Sequence, residues 1–238
     1  MANTKALKHR IPFSKKISAL YYGAREYLNK LRLQGETRQG TFSRYYKSNF
    51  WKDNHSRSGE GSNKEQTQVI RKILPDILDR YNIQTLIDVP CGDFFWMNQV
   101  ELRTVKYIGY DIVPEVIKKN TELFGSDQVR FSHRDMCQDL LDNCDMILCR
   151  DALVHLSFED IQKALDNFKK SSAHYLLTTT FPKRSTNQDI VTGQWRTLNL
   201  QIDPFCFPDS LEIYNEGSTE QEGRYADKSI ALWDLKSL

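Results

Sequence analysis

Apolar and polar positions along the chain fall into two alternating periods. Short apolar runs at 84–89 (QTLIDV), 106–112 (KYIGYDI), 128–133, 145–150 (DMILCR) and 174–180 (HYLLTTT) have strand length and β-branched content. Between them lie stretches of helical period. A short helix is expected near 94–101, another from Pro114 to Leu123, and a third from the Ser157/Asp160 capping box to Lys169. Ahead of the first strand, Ser62 and Glu65 form a capping box before a stripe of Val69, Ile70, Ile73 and Ile77, with Pro75 expected to kink that helix. Repeated strand–helix units of this spacing predict an α/β fold, a doubly wound Rossmann-like sheet that is mainly parallel. The segment 181–210 breaks the pattern with Pro182, Pro204 and Pro208, and the runs 211–215 and 228–235 then predict a C-terminal antiparallel hairpin at the sheet edge.

Composition changes the picture at one end. Residues 1–50 carry 11 Lys/Arg against 2 Asp/Glu, a net +9, while the remainder carries 22 against 29, a net −7. Ile17, Leu20, Tyr21, Ala24, Leu28 and Leu31 recur at helical spacing among Lys15, Lys16, Arg25 and Lys30. Residues 1–50 are therefore read as a basic helical extension, and 51–238 as the main domain. The basic helix is either packed on the body with a solvated face, or docked on an anionic membrane surface through residues 15–32. No run approaches the roughly 20 apolar residues of a membrane span, and the basic start lacks a signal-peptide core. Five cysteines without C-x-x-C or metal-like spacing suit reduced thiols in a cytoplasmic protein.

Ligands of wound sheets bind beyond the carboxyl ends of the strands. There the chain places Asp88 to Asp93, then Asp111, Asp135, Arg150, Asp151 and His155. Gly92 permits close backbone approach, and an acidic side chain about 20 residues on, here Asp111, is where ribose hydroxyls are bound. The G-x-G-x-x-G fingerprint of dinucleotide sites is missing, which argues against an NAD oxidoreductase. A ribose-bearing ligand without a pyrophosphate fits the single glycine better.

"LIDVPCGDFFW", "YIGYDIVPEVI", "VRFSHRDM" and "DMILCRDALVHLSFEDI" together resemble the successive motifs of class I S-adenosylmethionine-dependent methyltransferases, over residues 84–181. More narrowly, "SRSGEGS", "YLLTTTFP", "DIVTGQWRTLNL" and "YADKSIALWDL" are similar to small bacterial methyltransferases associated with surface-glycan or secondary-metabolite pathways. Where that family's first motif has glycines, this chain has Pro90 and Phe94. The resemblance implies S-adenosylmethionine as cofactor. Asp88 and the Cys91–Gly92–Asp93 backbone would line its methionine moiety, and Asp111 would bind the ribose, with Ile112 beside the adenine. Asp135 and Met136 would meet the adenine amino group and face, Arg150 would close the floor, and Ser58–Ser62 could fold over the methionine end.

Methyl transfer asks the enzyme to position an acceptor and, for a hydroxyl, to remove its proton. His155 is the candidate base, oriented by Asp151, or else a ring that only satisfies a loop carbonyl. Lys183, Arg184, Arg196 and Asn199 suit a sugar hydroxyl, phosphate or carboxylate, with Trp195 as a stacking face; equally, they are a solvated loop. The expected reaction is O-methylation of a small polar acceptor such as a sugar or phosphorylated glycan intermediate. A nucleic-acid methyltransferase using the basic arm is disfavoured, because "CRDALVHL" lacks the Asn/Asp-Pro-Pro-aromatic pattern and the body is acidic. A non-catalytic cofactor-binding module would bind S-adenosylmethionine without turnover. No carboxylate cluster specifies a metal.

Overall fold

Seven strands form where the apolar runs predict them: β1 (Thr85–Asp88), β2 (Lys106–Asp111), β3 (Val129–His133), β4 (Met146–Cys149), β5 (Tyr175–Thr180), β6 (Glu212–Asn215) and β7 (Ser229–Asp234). The computed structural model describes residues 31–238. The basic helix expected over 15–32 therefore lies, but for its last two residues, outside the described residues.

The strands make one sheet in the order β3-β2-β1-β4-β5-β7-β6. β1 pairs parallel with β2 and β4, as do β2 with β3 and β4 with β5. β7 is antiparallel to both β5 and β6, so it alone runs against the rest. The late hairpin is thus present, with its second strand threaded inside the sheet and its first left at the edge.

Among the described residues, helices of more than ten residues are α1 (Arg38–Ser48), α2 (Gln68–Arg80), α3 (Pro114–Phe124) and α4 (Phe158–Lys170). Successive strand residues point to opposite faces. Ile87, Ile108, Ile147, Leu176 and Trp233 join Ile161, Leu165 and Phe168 of α4 in one core. Leu86, Tyr107, Met146, Leu148 and Leu177 join Ile70, Leu74 and Ile77 of α2 in the other. Burial on both faces is why the central strands read as continuous apolar runs.

Three local expectations shift. The Ser62/Glu65 capping box does not form, because Ser62 closes a 3-10 turn and α2 begins only at Gln68. Asn63 Oδ1 accepts the amides of Glu65 and Gln66 at 3.0 Å each in the turn ahead of the helix, whose own N-cap, Thr67, makes no side-chain capping bond. Only a 3-10 turn, Met97–Gln99, stands where a helix over 94–101 was expected. At α4 the Ser157 hydroxyl does accept the Asp160 amide, at 3.2 Å. Thr37–Leu238 forms one compact unit, so the break placed at residue 50 falls before α1.

Candidate active site

The carboxyl ends of β1, β2 and β4, with the turn after β3, open into one crevice lined by Asp88 to Asp93, Asp111 to Val113, Asp135 to Cys137 and Arg150 to Ala152, with His155 and Leu156 beyond. Every residue expected to bind the cofactor is in this lining, as are His155, Asp151, Ser58 and Ser62.

The turn after β1 is fixed by its backbone. The Cys91 amide donates to the Tyr110 carbonyl at 2.8 Å, and Asn120 Nδ2 donates to the Gly92 carbonyl at 2.8 Å. Gly92 has φ +55°, and a Cβ there would lie 2.3 Å from Ser58 Oγ, so glycine is favoured on both counts. Phe94 also sits in the left-handed region, at φ +59°. Its buried ring packs against Tyr107, Phe124 and Phe131 at 5.0–5.2 Å between centroids. That aromatic contact offsets the backbone cost that a glycine would avoid.

Asp111 is buried, and its carboxylate accepts the amides of Gly92 (3.0 Å) and Val113 (2.9 Å), one on each oxygen. Each oxygen keeps a lone pair for a further donor. Burial pushes its pKa up to about 6, against the opposing backbone hydrogen bonds. Asp88 accepts the Tyr107 hydroxyl at 2.7 Å, and burial raises it to about 7 despite that bond, with Asp111 adding to the rise. Two buried acids near neutrality make a site ready for a ligand that brings hydroxyl donors and an ammonium group. Cys91 is no nucleophile, since burial drives its thiol well above its ordinary value.

Asp135 is differently placed. Its Oδ2 receives both Nε (3.0 Å) and Nη2 (2.8 Å) of Arg38, while Oδ1 accepts the Cys137 amide at 2.9 Å. Arg38 Nη1 also reaches Asp160 at 2.9 Å. One guanidinium thus ties the start of α1 to the turn after β3 and to the first turn of α4. Phe42 and Tyr46 of α1, then Trp51 and Arg57, complete that wall of the crevice. Tyr45 anchors the same helix, its hydroxyl donating to the Gly193 carbonyl at 2.9 Å.

His155 follows β4 in a 3-10 turn, Leu153–His155, with Nδ1 bonded to the Gln194 carbonyl at 3.0 Å. A carbonyl accepts only, so Nδ1 carries the proton and Nε2 has the lone pair. Burial lowers its pKa to about 4, which keeps the ring neutral. Asp151 does not orient it; the Gln194 carbonyl does. Asp151 turns instead to Lys228 Nζ (2.6 Å) and Arg150 (3.2 Å). Arg150 continues to Glu216 at 2.7 Å, and Lys228 to Glu220 at 3.1 Å. Burial alone would raise Asp151, but Lys228 and then Arg150 outweigh it and hold the carboxyl below its usual range. Asp151 itself has φ +53°, a strained backbone for a non-glycine residue at the end of a central strand. A Cβ on Gly61 would fall 2.7 Å from Asp151 Oδ2, and the Gly61 carbonyl accepts Arg150 Nη1 at 2.8 Å. The glycine therefore lets the Ser58–Ser62 segment seat against the charged floor.

The five residues expected to grip the acceptor do not line the crevice. Arg196 is buried and donates to the carbonyls of Leu153 (2.8 Å), Leu156 (2.9 Å) and Gln188 (3.2 Å). Asn199 bonds the carbonyls of Arg184 (2.9 Å) and Pro182 (3.3 Å), and Arg184 is paired with Asp227. Lys183 is exposed, and Trp195 packs on Tyr225 and Phe181. Sequence reasoning missed Arg38, Tyr46, Trp51, Arg57 and the buried pair Glu216 and Lys228. For Lys228 there was a signal, a lysine directly ahead of an apolar strand. Among the described residues no helix is long and apolar enough to cross a membrane, and no group of side chains could hold a metal.

Residues 87–172 match the family model of the methyltransferase domain. Over those residues the chain carries a methyltransferase domain, and its fold is the one seen in S-adenosylmethionine-dependent methyltransferases. No curated protein matches the chain by sequence. Among solved structures the methyltransferase is similar to the N-methyltransferase NodS from Bradyrhizobium japonicum WM9 in complex with S-adenosyl-L-homocysteine. That likeness has a TM-score of 0.59 at 11% identity, over 80% of this chain and 97% of NodS. It is also similar to the methyltransferase domain of bacterial CtHen1 (TM-score 0.53, 11% identity, 71% and 98% covered). Human N-acetylserotonin methyltransferase in complex with its cofactor gives 0.52 at 14% identity; the match takes in 71% of this chain and spans 52% of that one. These likenesses are of fold. The donor set fits the cofactor: a buried carboxylate with lone pairs to spare at β2, a glycine turn at β1 and a second buried acid at Asp88.

Proposed function

We propose that this enzyme methylates a hydroxyl of a small polar acceptor, such as a sugar or a phosphorylated glycan intermediate, with His155 as the base. The cofactor, when bound, supplies an electrophilic methyl group on its sulfonium. Asp111 would hold the ribose hydroxyls, Ile112 and Met136 the adenine, and Asp88 with the Cys91–Asp93 turn the amino-acid end. Arg150, locked between Glu216 and the Gly61 carbonyl, would form a floor that does not move on binding.

One observation carries the reading: a neutral imidazole, fixed through Nδ1, lines the crevice where β4 ends. Its Nε2 can take the hydroxyl proton while the Gln194 carbonyl stabilises the imidazolium that forms. The Trp51 ring stands 5.8 Å from the His155 ring and offers the stacking face that Trp195 does not. A base with so low a pKa is correctly protonated at every pH above about 5, so turnover should lack the acid limb near 6.5 of an ordinary histidine.

The test is transfer of a labelled methyl group to a panel of sugars, sugar phosphates and amines, with wild type and His155→Gln. For a hydroxyl acceptor, loss of a general base lowers turnover by roughly 10²–10⁴-fold, while S-adenosylhomocysteine still binds. Undiminished turnover by His155→Gln, or transfer to amines alone, refutes the reading.

A further inference from the structure

Beside the crevice mouth lies a second, polar pocket, lined by Asn49, Asp53, His55, Ser56 and Lys119 and sharing Tyr46, Arg57 and Asp93 with the first. Its two carboxylates are already engaged by their own loop. Asp53 Oδ1 accepts the amides of His55 and Ser56 at 2.8 Å each, and Oδ2 faces Asn63 Nδ2 at 3.4 Å. Asp93 accepts the Ser56 hydroxyl at 3.0 Å, the Arg57 amide at 2.8 Å and the Ser58 hydroxyl at 3.3 Å.

The cations are in the opposite condition. Arg57 makes one side-chain hydrogen bond, to the Tyr46 carbonyl at 3.3 Å, and lies over the Tyr46 ring at 5.9 Å. Among the described residues neither Arg57 nor Lys119 pairs with a carboxylate. Nearby Lys47 does pair, with Glu115, so this side of the molecule does neutralise cations where an acid is in reach. The pocket therefore presents a guanidinium and an ammonium that form no ion pair among the described residues, with His55 and Asn54 as further donors, and it shares three lining residues with the crevice.

We propose that this pocket binds a compact oxyanion carried by the acceptor, a phosphate monoester or a carboxylate. The inference rests on the methyltransferase reading only for the statement that the ligand is the acceptor. Arg57 presents the planar fork that matches either oxyanion, and Lys119 adds a point charge from α3. Because Arg57 and Tyr46 belong to both cavities, an anion held here directs the remainder of the molecule into the crevice that Trp51 and His155 line. The site then selects acceptors by charge before His155 selects them by proton transfer.

Protein saturated with S-adenosylhomocysteine is titrated with methyl phosphate and, separately, with acetate, following backbone amide resonances and heat. Wild type, Arg57→Gln, Lys119→Gln, the double variant and Lys118→Gln are compared. We expect saturable binding of at least one anion, with shifts centred on His55, Arg57 and Lys119. The double variant should lose at least tenfold in affinity, and Lys118→Gln should match wild type. Binding of methyl phosphate alone assigns a phosphate ester; of acetate alone, a carboxylate. Absence of saturable binding, or equal affinity in the double variant, overturns the proposal. The S-adenosylhomocysteine titration in the same samples is separate: its failure removes the cofactor reading, while the anion titrations still decide this one.

Discussion

Arg38 is the residue whose removal discriminates most sharply between two roles for Asp135. It makes three charge-assisted hydrogen bonds at 2.8–3.0 Å, two to Asp135 and one to Asp160. The side chains are 17%, 16% and 11% exposed, so water screens the contacts only in part. Stripping one partner from a buried pair costs about 3–5 kcal/mol, and this residual exposure puts Arg38→Met near the lower figure, about 3 kcal/mol. Part of that loss frees α1 from the crevice. If Asp135 serves mainly to hold Arg38, then Arg38→Met and Asp135→Asn weaken S-adenosylhomocysteine by similar factors and the double variant is no worse than either. A shared term of about 1–2 kcal/mol, roughly 5- to 30-fold in Kd, is the expected coupling. Calorimetric Kd values and urea unfolding of the four proteins complete the cycle. If the affinity losses instead add, Asp135 acts on the adenine independently of Arg38, and the clamp is a stability feature only.

Asp111→Asn should weaken S-adenosylhomocysteine by about 1.5–3 kcal/mol, the worth of a hydrogen bond to a charged group. Wild-type affinity should climb as pH rises through about 6, where the folded carboxyl ionises. Because that pKa is raised above the ordinary 3.8, the stability it contributes is present at low pH and lost as pH rises through about 6. Asparagine leaves one of the Gly92 and Val113 amides without an acceptor, a cost that does not change with pH, so the Tm of Asp111→Asn should gain on that of wild type as pH rises from 4 to 8, and a difference in Tm that does not move with pH would contradict the assignment. Lys228→Met removes the closer of the two cations at Asp151 and leaves Arg150 at 3.2 Å, so it should cost about 1–3 kcal/mol in urea unfolding; no measurable loss would mean that Arg150 alone compensates the acid. Phe94→Gly should lose about 3–5 kcal/mol of aromatic packing and regain about 1–2 from the relaxed backbone, a net loss of about 2–3. A stabilised variant would show that the positive φ, not the ring, dominates at that turn.

The sheet was legible in the sequence because each central strand is apolar on both faces, and β2 and β4 are each followed by a helix of the right period. The cofactor wall was legible for the same reason: residues next after a strand must lie at its end. What stayed hidden depends on partners far along the chain. α1 (RQGTFSRYYKS) has no apolar stripe, and it docks through Arg38 and Tyr45 on groups at Asp135, Asp160 and Gly193. Arg196 and Asn199 look like surface donors in sequence. They turn inward onto backbone carbonyls, Arg196 onto Leu153 and Leu156 of the turn after β4 and Asn199 onto Pro182 and Arg184 of segment 181–210, which has no helix or strand of its own. Asp151 looked like a partner for His155 at a spacing of four, yet the left-handed turn at Asp151 sends its carboxylate towards Lys228.

The placement of β7 bears on the life history of the protein in the cell. This strand follows every other in the chain, yet it sits between β5 and β6, and the residue just ahead of it, Lys228, neutralises Asp151. A chain interrupted between Phe181 and Lys228 would keep all the residues expected to touch the cofactor. It would nevertheless expose the edge of β5, with Leu176, Leu177 and Thr178 paired only on the β4 side, and leave Asp151 without its lysine. Such an edge recruits other strands and aggregates. Nicked or prematurely terminated copies should therefore surface as insoluble material for proteolysis, not as a pool that sequesters S-adenosylmethionine without turning it over.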